Sequence, residues 1–309
     1  CMRHKENYIL PQRGWTISED GRSVFVDSFW TQKKSVKLDD TSEYLSDDEG
    51  ELLEEMVTEY IARGFSWFGI TEHMPPVSDE FTLDEERALG LDMAAQYERF
   101  DRYMTTGKAL QKKYADAVDL YVGFECESYT GAFAATKQLI EKYRPDYIVG
   151  SVHHVHDIMI DGPPEIYAQA AQKLGSIEAL YCQYFDLQLD MIETLHPAVV
   201  GHFDLIRLRD PGDYKTRLKN PEILRHIRRN LERIRELDLI LDFNLAALDK
   251  GADEPYVSAP ILNIALELGI ALVPGDDSHG VATVGRHFAT GARILKERGF
   301  DTNWRRPVT

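Results

Sequence analysis

The chain has 309 residues, 43% of them hydrophobic, and its 52 acidic and 35 basic residues give a formal net charge of −17. This balance argues against a surface for nucleic acid or anionic membrane, since both need clustered Lys and Arg. No apolar run approaches the roughly 20 residues of a membrane span, and no hydrophobic signal-peptide core follows the N-terminus. Three widely spaced cysteines do not indicate a disulfide framework, so we expect a reducing, cytoplasmic setting.

Short β-rich runs alternate with helical segments along the chain. The runs are VFVDSF (24–29), WFGIT (67–71), LYVGFE (120–125), YIVGSV (147–152), AVVGHF (198–203), LILDFN (239–244) and ALVPGDD (271–277). The segments between most of them have helical periodicity; one, EGELLEEMVTEYIARG, ends on Gly64 as a helix C-cap. This alternation predicts an α/β protein with parallel strands, and seven repeats favour one closed barrel over an open sheet. We expect an irregular N-terminal segment at residues 1–20 and a single barrel domain at residues 21–309.

Side chains that can bind metals lie where these predicted strands end. The C-terminal ends of barrel strands form the face where catalytic groups converge. The positions are His73 in WFGITEH, Glu125 in LYVGFE, His153 and His154 in YIVGSVHH, His202 in AVVGHFD, and Asp277 and His279 in ALVPGDDSH. Imidazoles combined with carboxylates suit Zn²⁺, Mn²⁺ or Fe²⁺ better than Ca²⁺.

Five of these stretches resemble, in order, the motifs of a known superfamily. They are TEHMP, GFECES, GSVHHV with the following Asp161, VVGHFDL and GDDSHG. They are similar to motifs of the polymerase and histidinol phosphatase (PHP) superfamily, and within it to the histidinol-phosphate phosphatase branch. The resemblance implies a distorted (β/α)7 barrel in which up to three divalent metals assist hydrolysis of a phosphomonoester. It also implies a set of roles: Glu125 bridges two metals, His153 and His202 complete the second, Asp277 binds the first, and His73 and His279 bind the third.

The sequence departs from the family pattern near its N-terminus. PHP proteins open with a strand ending in His-x-His, yet no histidine lies between His4 and His73. The positions that would replace the His-x-His pair are either Phe29 with Thr31, or Asp39 or Asp40. The positions that would replace the family's next histidine are Asp47 or Asp48. Carboxylates can bind such metals, whereas Phe and Thr cannot replace imidazole. Three explanations stay open: a natural variant with fewer metals, a scaffold without catalysis, or an N-terminal segment foreign to the fold. We expect the first metal site to be weak or empty.

The resemblance implies L-histidinol phosphate, a metabolite of histidine biosynthesis, as the substrate of this metal-assisted hydrolysis. Arg207 is the candidate phosphate clamp, although it could instead pair with Asp210 at the surface. The candidate acid for the leaving group is either a metal-bound water or Asp277. His154 is expected either to contact the substrate or to pack.

Other polar residues near the motifs have simpler interpretations. His156 is expected to be a solvated loop residue, and Glu72 and Glu127 either orient neighbouring imidazoles or are solvated. Two alternative functions also stay open. One is a non-catalytic barrel with a partial metal site, acting as a binding or regulatory module, and the other is a phosphoesterase for a different small phosphate.

Overall fold

The computed structural model describes residues 16–17, 23–26, 34–37, 48–82, 84–88, 90–278 and 280–307. The described residues form two compact units, one within residues 1–124 and 277–286 and one within residues 125–276 and 287–309. The division falls inside a strand, so Glu125 belongs to the second unit. The single-domain organisation stays a prediction. Several positions named above lie outside the described residues or have undescribed side chains: Phe29, Thr31, Asp39, Asp40, Asp47, Asp48 and His279.

The first unit contains two groups of strands and three helices among its described residues. Its elements are β1 (Thr16–Ile17), β2 (Ser23–Val26), β3 (Lys34–Lys37), α1 (Asp48–Ala62), β4 (Trp67–Ile70), α2 (Asp84–Ala88), α3 (Met93–Lys113) and β5 (Asp119–Glu125) up to Phe124. Strands β4 and β5 are parallel, with Trp67 opposite Asp119. This pairing follows the predicted strand–helix–strand alternation.

The N-terminal strands differ from the parallel arrangement predicted for the whole chain. Strand β2, within the VFVDSF run, pairs antiparallel with β1 and with β3. The connections, residues 18–22 and 27–33, are shorter than the dozen or so residues that a parallel crossover requires. The parallel prediction is therefore wrong for this segment.

The second unit is built on four parallel strands in the order β11–β10–β9–β6. Its elements are α4 (Ala132–Tyr143), β6 (Tyr147–Gly150), β7 (His154–Val155), β8 (Ile158–Met159), α5 (Pro164–Leu174), α6 (Ile177–Leu195), β9 (Val199–Val200), α7 (Tyr214–Arg217), α8 (Pro221–Glu236), β10 (Ile240–Asn244), α9 (Ala246–Asp249), α10 (Ala259–Leu268), β11 (Ala271–Gly275) and α11 (Phe288–Arg298). Strands β7 and β8 form a small antiparallel hairpin. Helices thus connect most of the parallel strands, as the sequence predicted.

Helix α8 shows why these residues form this unit. Asn220 caps its N-terminus by accepting a hydrogen bond from the amide of Glu222, and Pro221 occupies the first helical position. Four apolar side chains at helical spacing are fully buried: Ile223, Ile227, Leu231 and Ile234. Its opposite face carries arginines that pair with surface carboxylates.

Among the described residues, no helix combines the length and apolar character required to cross a membrane.

Candidate metal centre

Neighbouring strands bring two sequence-predicted ligands to the same edge of the second unit. Strands β6 and β9 are parallel, with Gly150 opposite Val200. The pairing extends one residue further, because the amide of Gly201 donates to the carbonyl of Gly150 over 2.9 Å. His153 and His202 follow at the carboxyl ends of these strands, where side chains of a parallel sheet can meet.

Glu125, His153 and His202 form a compact buried group of donor atoms. The Nε2 atoms of the two histidines are 3.1 Å apart. Glu125 Oε1 lies 3.1 Å from His202 Nε2 and 3.6 Å from His153 Nε2. All three side chains are buried. These are the three residues that the PHP resemblance assigned to the second metal.

The spacing of the three donor atoms fits a transition metal. Zinc–nitrogen bonds are about 2.0–2.1 Å long in proteins, so two tetrahedral ligand atoms stand about 3.3 Å apart. The observed separations of 3.1, 3.1 and 3.6 Å bracket this value. The two facing imidazoles and one carboxylate are also a ligand set suited to such ions. The described residues therefore fit a divalent metal at this group.

The carboxylate of Glu125 is fixed by a neighbouring hydroxyl. Ser151 donates a hydrogen bond to Glu125 Oε1, and both residues are buried. Gly201 allows this approach, because a Cβ there would lie 2.5 Å from Ser151 Oγ and 2.9 Å from a methyl group of Val149. A side chain at position 201 would thus disturb the partner of Glu125.

Glu127 lies against the other side of His153. Its Oε2 atom is 3.2 Å from His153 Nδ1 and 3.3 Å from His154 Nδ1. Burial by itself would lower the pKa of His153, but the carboxylates of Glu127 and Glu125 outweigh it and raise the pKa to about 9. With its Nδ1 beside Glu127, His153 presents Nε2 to Glu125 and His202. Glu127 is therefore placed to orient imidazoles rather than being solvated.

His154 and His156 have different surroundings. His154 is buried in β7, where its ring meets the ring of Tyr129 edge-on at 5.1 Å. The hydroxyl oxygen of Ser128 accepts hydrogen bonds from the amides of both His153 and His154. His156 is exposed, with its Nε2 3.2 Å from Gln183 Oε1. The loop position predicted for His156 is confirmed, whereas a role of His154 in substrate binding stays a prediction.

Arg207 is not the surface residue that one sequence interpretation offered. It is buried, its Nη2 donates to the carbonyl of Glu254 over 2.9 Å, and its Nε lies 3.3 Å from Asp204 Oδ2. Its guanidinium carbon sits 4.5 Å from the ring centre of Tyr256, which in turn contacts the ring of His202 at 6.3 Å. Pairing of Arg207 with Asp210 is therefore wrong.

Asp210 binds other partners instead. It accepts hydrogen bonds from Arg217 and, over 2.8 Å, from the hydroxyl of Tyr181. The reason for the error is local structure: residues Leu205–Arg209 form a short 3-10 helix, which turns Arg207 inward.

His73 and Asp277 belong to the first unit. His73 follows β4, and its amide lies 3.0 Å from Glu72 Oε1 as a hydrogen-bond donor. Asp277 follows β11 and has a φ of 47°, in the left-handed region that few residues other than glycine adopt. Such backbone conformations are enriched at functional sites. Metal binding by His73, Asp277 and His279 stays a prediction.

Sequence reasoning missed three residues around this group. Ser151 contacts Glu125, Ser128 holds the backbone of both adjacent histidines, and Tyr256 separates Arg207 from His202. The two serines lie inside the GSVHH and GFECES stretches, so their position in the motifs was a usable signal. Tyr256 is about 50 residues after both Arg207 and His202, and no local pattern marks it.

Comparisons with known proteins agree on one family. Residues 41–246 match the PHP domain family. The chain is 36% identical over 250 residues to the "Probable histidinol-phosphatase" of Schizosaccharomyces pombe, covering 80% of this chain and 81% of that protein.

Two solved structures are also similar. One is a Listeria monocytogenes protein assigned as a histidinol phosphatase, with a TM-score of 0.67, 28% identity, and coverage of 77% of this chain and 93% of that one. The other is the histidinol phosphate phosphatase of Lactococcus lactis in complex with zinc, L-histidinol and phosphate. Its TM-score is 0.59 at 22% identity, over 80% of this chain and 88% of that one, which shows a shared fold. The predicted PHP-type α/β fold is confirmed, and the chain belongs to the PHP domain family.

Proposed function

We propose that this chain is a metal-dependent phosphomonoesterase that hydrolyses L-histidinol phosphate to L-histidinol and phosphate, a reaction of histidine biosynthesis. The observation that carries the proposal is the buried group of Glu125, His153 and His202, whose donor atoms lie 3.1–3.6 Å apart. Family membership and the names of the relatives support the substrate. The proposed metal is Zn²⁺, Mn²⁺ or Fe²⁺.

A bound divalent metal would supply positive charge to the phosphate oxygens and activate water for in-line attack. The residues of the chain prepare that step. Glu125 and the two imidazoles provide the ligand atoms, and Ser151 fixes the carboxylate. Because the formal net charge is −17, a phosphate ester depends on local positive charge at this site.

Three further residues have proposed roles in binding or proton transfer. Arg207 is proposed to contribute positive charge toward the phosphate, from its place behind Tyr256. His154 is proposed to contact the substrate, and Asp277 to bind the first metal and protonate the leaving alkoxide. With the His-x-His motif absent, we propose up to three metal sites of which the first is weak.

One observation favours a second candidate function. The sequence has no histidine between His4 and His73, so the usual ligands of the first metal are missing. A PHP barrel with only a partial metal site could serve as a non-catalytic binding or regulatory module.

A phosphate-release assay separates these functions. The chain is stripped with a chelator, reloaded with Zn²⁺ or Mn²⁺, and supplied with L-histidinol phosphate or with other small phosphomonoesters. His202→Ala tests the metal group, and His156→Asn is the matched control, because asparagine tolerates the positive φ of 50° at that position.

Release from L-histidinol phosphate, lost in His202→Ala and kept in His156→Asn, is the expected result. Faster phosphate release from another phosphomonoester would mean that this ester, and not L-histidinol phosphate, is the substrate. Tight metal binding without release from any ester would support the non-catalytic module.

A further inference from the structure

A chain of hydrogen bonds, most of them buried, leads from helix α8 to the residue that follows His202. The carbonyl of Phe203 accepts one hydrogen bond from Gln188 Nε2 over 2.9 Å and another from the hydroxyl of Tyr184 over 3.1 Å. Both donors lie on α6 and are buried. The strand β9 has ended by this point, so side chains rather than a neighbouring strand hold this carbonyl.

The same chain continues away from the metal group. Asn230 Nδ2 donates to Gln188 Oε1 over 3.1 Å and to the carbonyl of Phe185 over 2.7 Å. Arg229 donates through Nε and Nη2 to Asn230 Oδ1, at 3.0 and 2.9 Å. The order of contacts is therefore Arg229, Asn230, Gln188 and Phe203.

This order fixes the orientation of both amide side chains. Arg229 can only donate, so it requires the oxygen of Asn230 to face it and turns the amide nitrogen toward Gln188. That nitrogen in turn requires the oxygen of Gln188, which leaves Nε2 to face the carbonyl of Phe203. Flipping either amide would place two donors or two acceptors against each other in a buried site, at the cost of unpaired polar groups.

We propose that Gln188 and Tyr184 are positioning residues for the metal ligand His202. Both side chains donate to the carbonyl of Phe203, the residue after His202. Gly201, the residue before His202, is held by the hydrogen bond from its amide to the carbonyl of Gly150. His202 is thereby fixed from both sides. Residues that orient metal ligands typically change metal affinity about 10–100-fold when replaced.

The inference rests on the proposed metal site, and zinc affinity tests both separately. Metal-free protein is titrated with Zn²⁺ against a competing chelator, and the visible spectrum of bound Co²⁺ reports ligand geometry. Gln188→Met removes the donor while keeping similar volume, and Tyr184→Phe removes the second donor. Tyr181→Phe is the matched control, because Tyr181 is equally buried on α6 but donates to Asp210 instead.

We expect Gln188→Met and Tyr184→Phe each to weaken zinc binding about tenfold and to alter the Co²⁺ spectrum, with Tyr181→Phe unchanged. Wild-type affinity in both Gln188→Met and Tyr184→Phe, alongside clear loss in His202→Ala, would overturn the positioning role and leave the metal site standing. Equal weak binding by the unaltered chain and His202→Ala would overturn the proposed metal site itself, and the inference with it. Because Tyr184→Phe removes a single hydroxyl, it remains informative if Gln188→Met does not fold.

Discussion

Replacing Arg207 with methionine should destabilise the second unit far more than an ordinary arginine substitution. Asp204 is fully buried, and its Oδ2 lies 3.3 Å from Arg207 Nε. At an effective dielectric constant of about 20, two unit charges at this distance attract by about 5 kcal/mol. Removing one partner of a buried pair generally costs about 3–5 kcal/mol, because the remaining charge is left uncompensated.

The remaining contacts of Asp204 place the expected loss at the lower end of that range. Ser258 still donates to Asp204 Oδ2 through both its amide and its hydroxyl. Methionine also keeps much of the apolar packing against Tyr256. We therefore expect Arg207→Met to lower the free energy of unfolding by about 3 kcal/mol.

A double variant isolates the charge as the cause. Adding Asp204→Asn removes the stranded carboxylate while keeping an oxygen for Ser258, and replacing both members of a buried pair is often nearly neutral. The double variant should regain most of the loss. The measurement is urea unfolding of metal-free protein at pH 7.5. A loss below about 1 kcal/mol in the single variant, or a double variant no more stable than the single, would refute the reasoning.

The same double variant tests the proposed role of Arg207 in phosphate binding. A hydrogen bond to a charged group contributes about 1.5–3 kcal/mol, or about ten- to a hundredfold in affinity. If Arg207 contributes charge to the phosphate, the folded double variant should show a raised KM for L-histidinol phosphate. An unchanged KM would mean that Arg207 pairs with Asp204 and does not contribute to phosphate binding.

Three further results are expected. His153→Ala should reduce the bound zinc measured by elemental analysis, whereas His156→Asn should not, and equal losses would show that the ligand is misassigned. The pKa of His153 is raised from 6.5 to about 9, so protonation of His153 stabilises the metal-free fold, and this stabilisation is fully present below pH 6.5. About 3 kcal/mol of it should be lost as the pH rises to about 9. Urea unfolding at pH 6.5 and at pH 9 should show this loss in the wild type and not in His153→Gln. Gly201→Ala should weaken zinc binding in a chelator competition, because its Cβ would push Ser151 away from Glu125, and unaltered affinity would mean that the hydroxyl is dispensable.

The sequence predicted the strand-end positions well because parallel strands impose a simple rule. Once β6 and β9 are recognised as neighbours, residues just beyond their carboxyl ends must lie close together, and His153 and His202 do. The N-terminal strands were harder to predict. Strand β2 has the apolar character of a barrel strand, but its antiparallel partners depend on connection lengths rather than on its own residues.

Arg207 shows the other limit of sequence reasoning. In its stretch, LIRLRD, Arg207 is followed by an arginine two residues later and by an aspartate three residues later, which is compatible with either a solvated surface or a buried turn. The decision depends on Asp204, Glu254 and Tyr256, two of which are about 50 residues away. Long-range partners of this kind leave no local periodicity to detect.

The spacing of Glu125 and Glu127 explains why the adjacent His153 and His154 have different surroundings. Residues two apart on an extended chain face the same side, and these two carboxylates bracket the ring of His153, one 3.6 Å from Nε2 and the other 3.2 Å from Nδ1. Each ring nitrogen therefore meets a negative charge, and Nε2 also meets the imidazole of His202. His154 lies near Glu127 through its own Nδ1, and its ring packs on Tyr129. His153 thus presents Nε2 to the proposed metal group, and His154 shares the carboxylate of Glu127 that orients it.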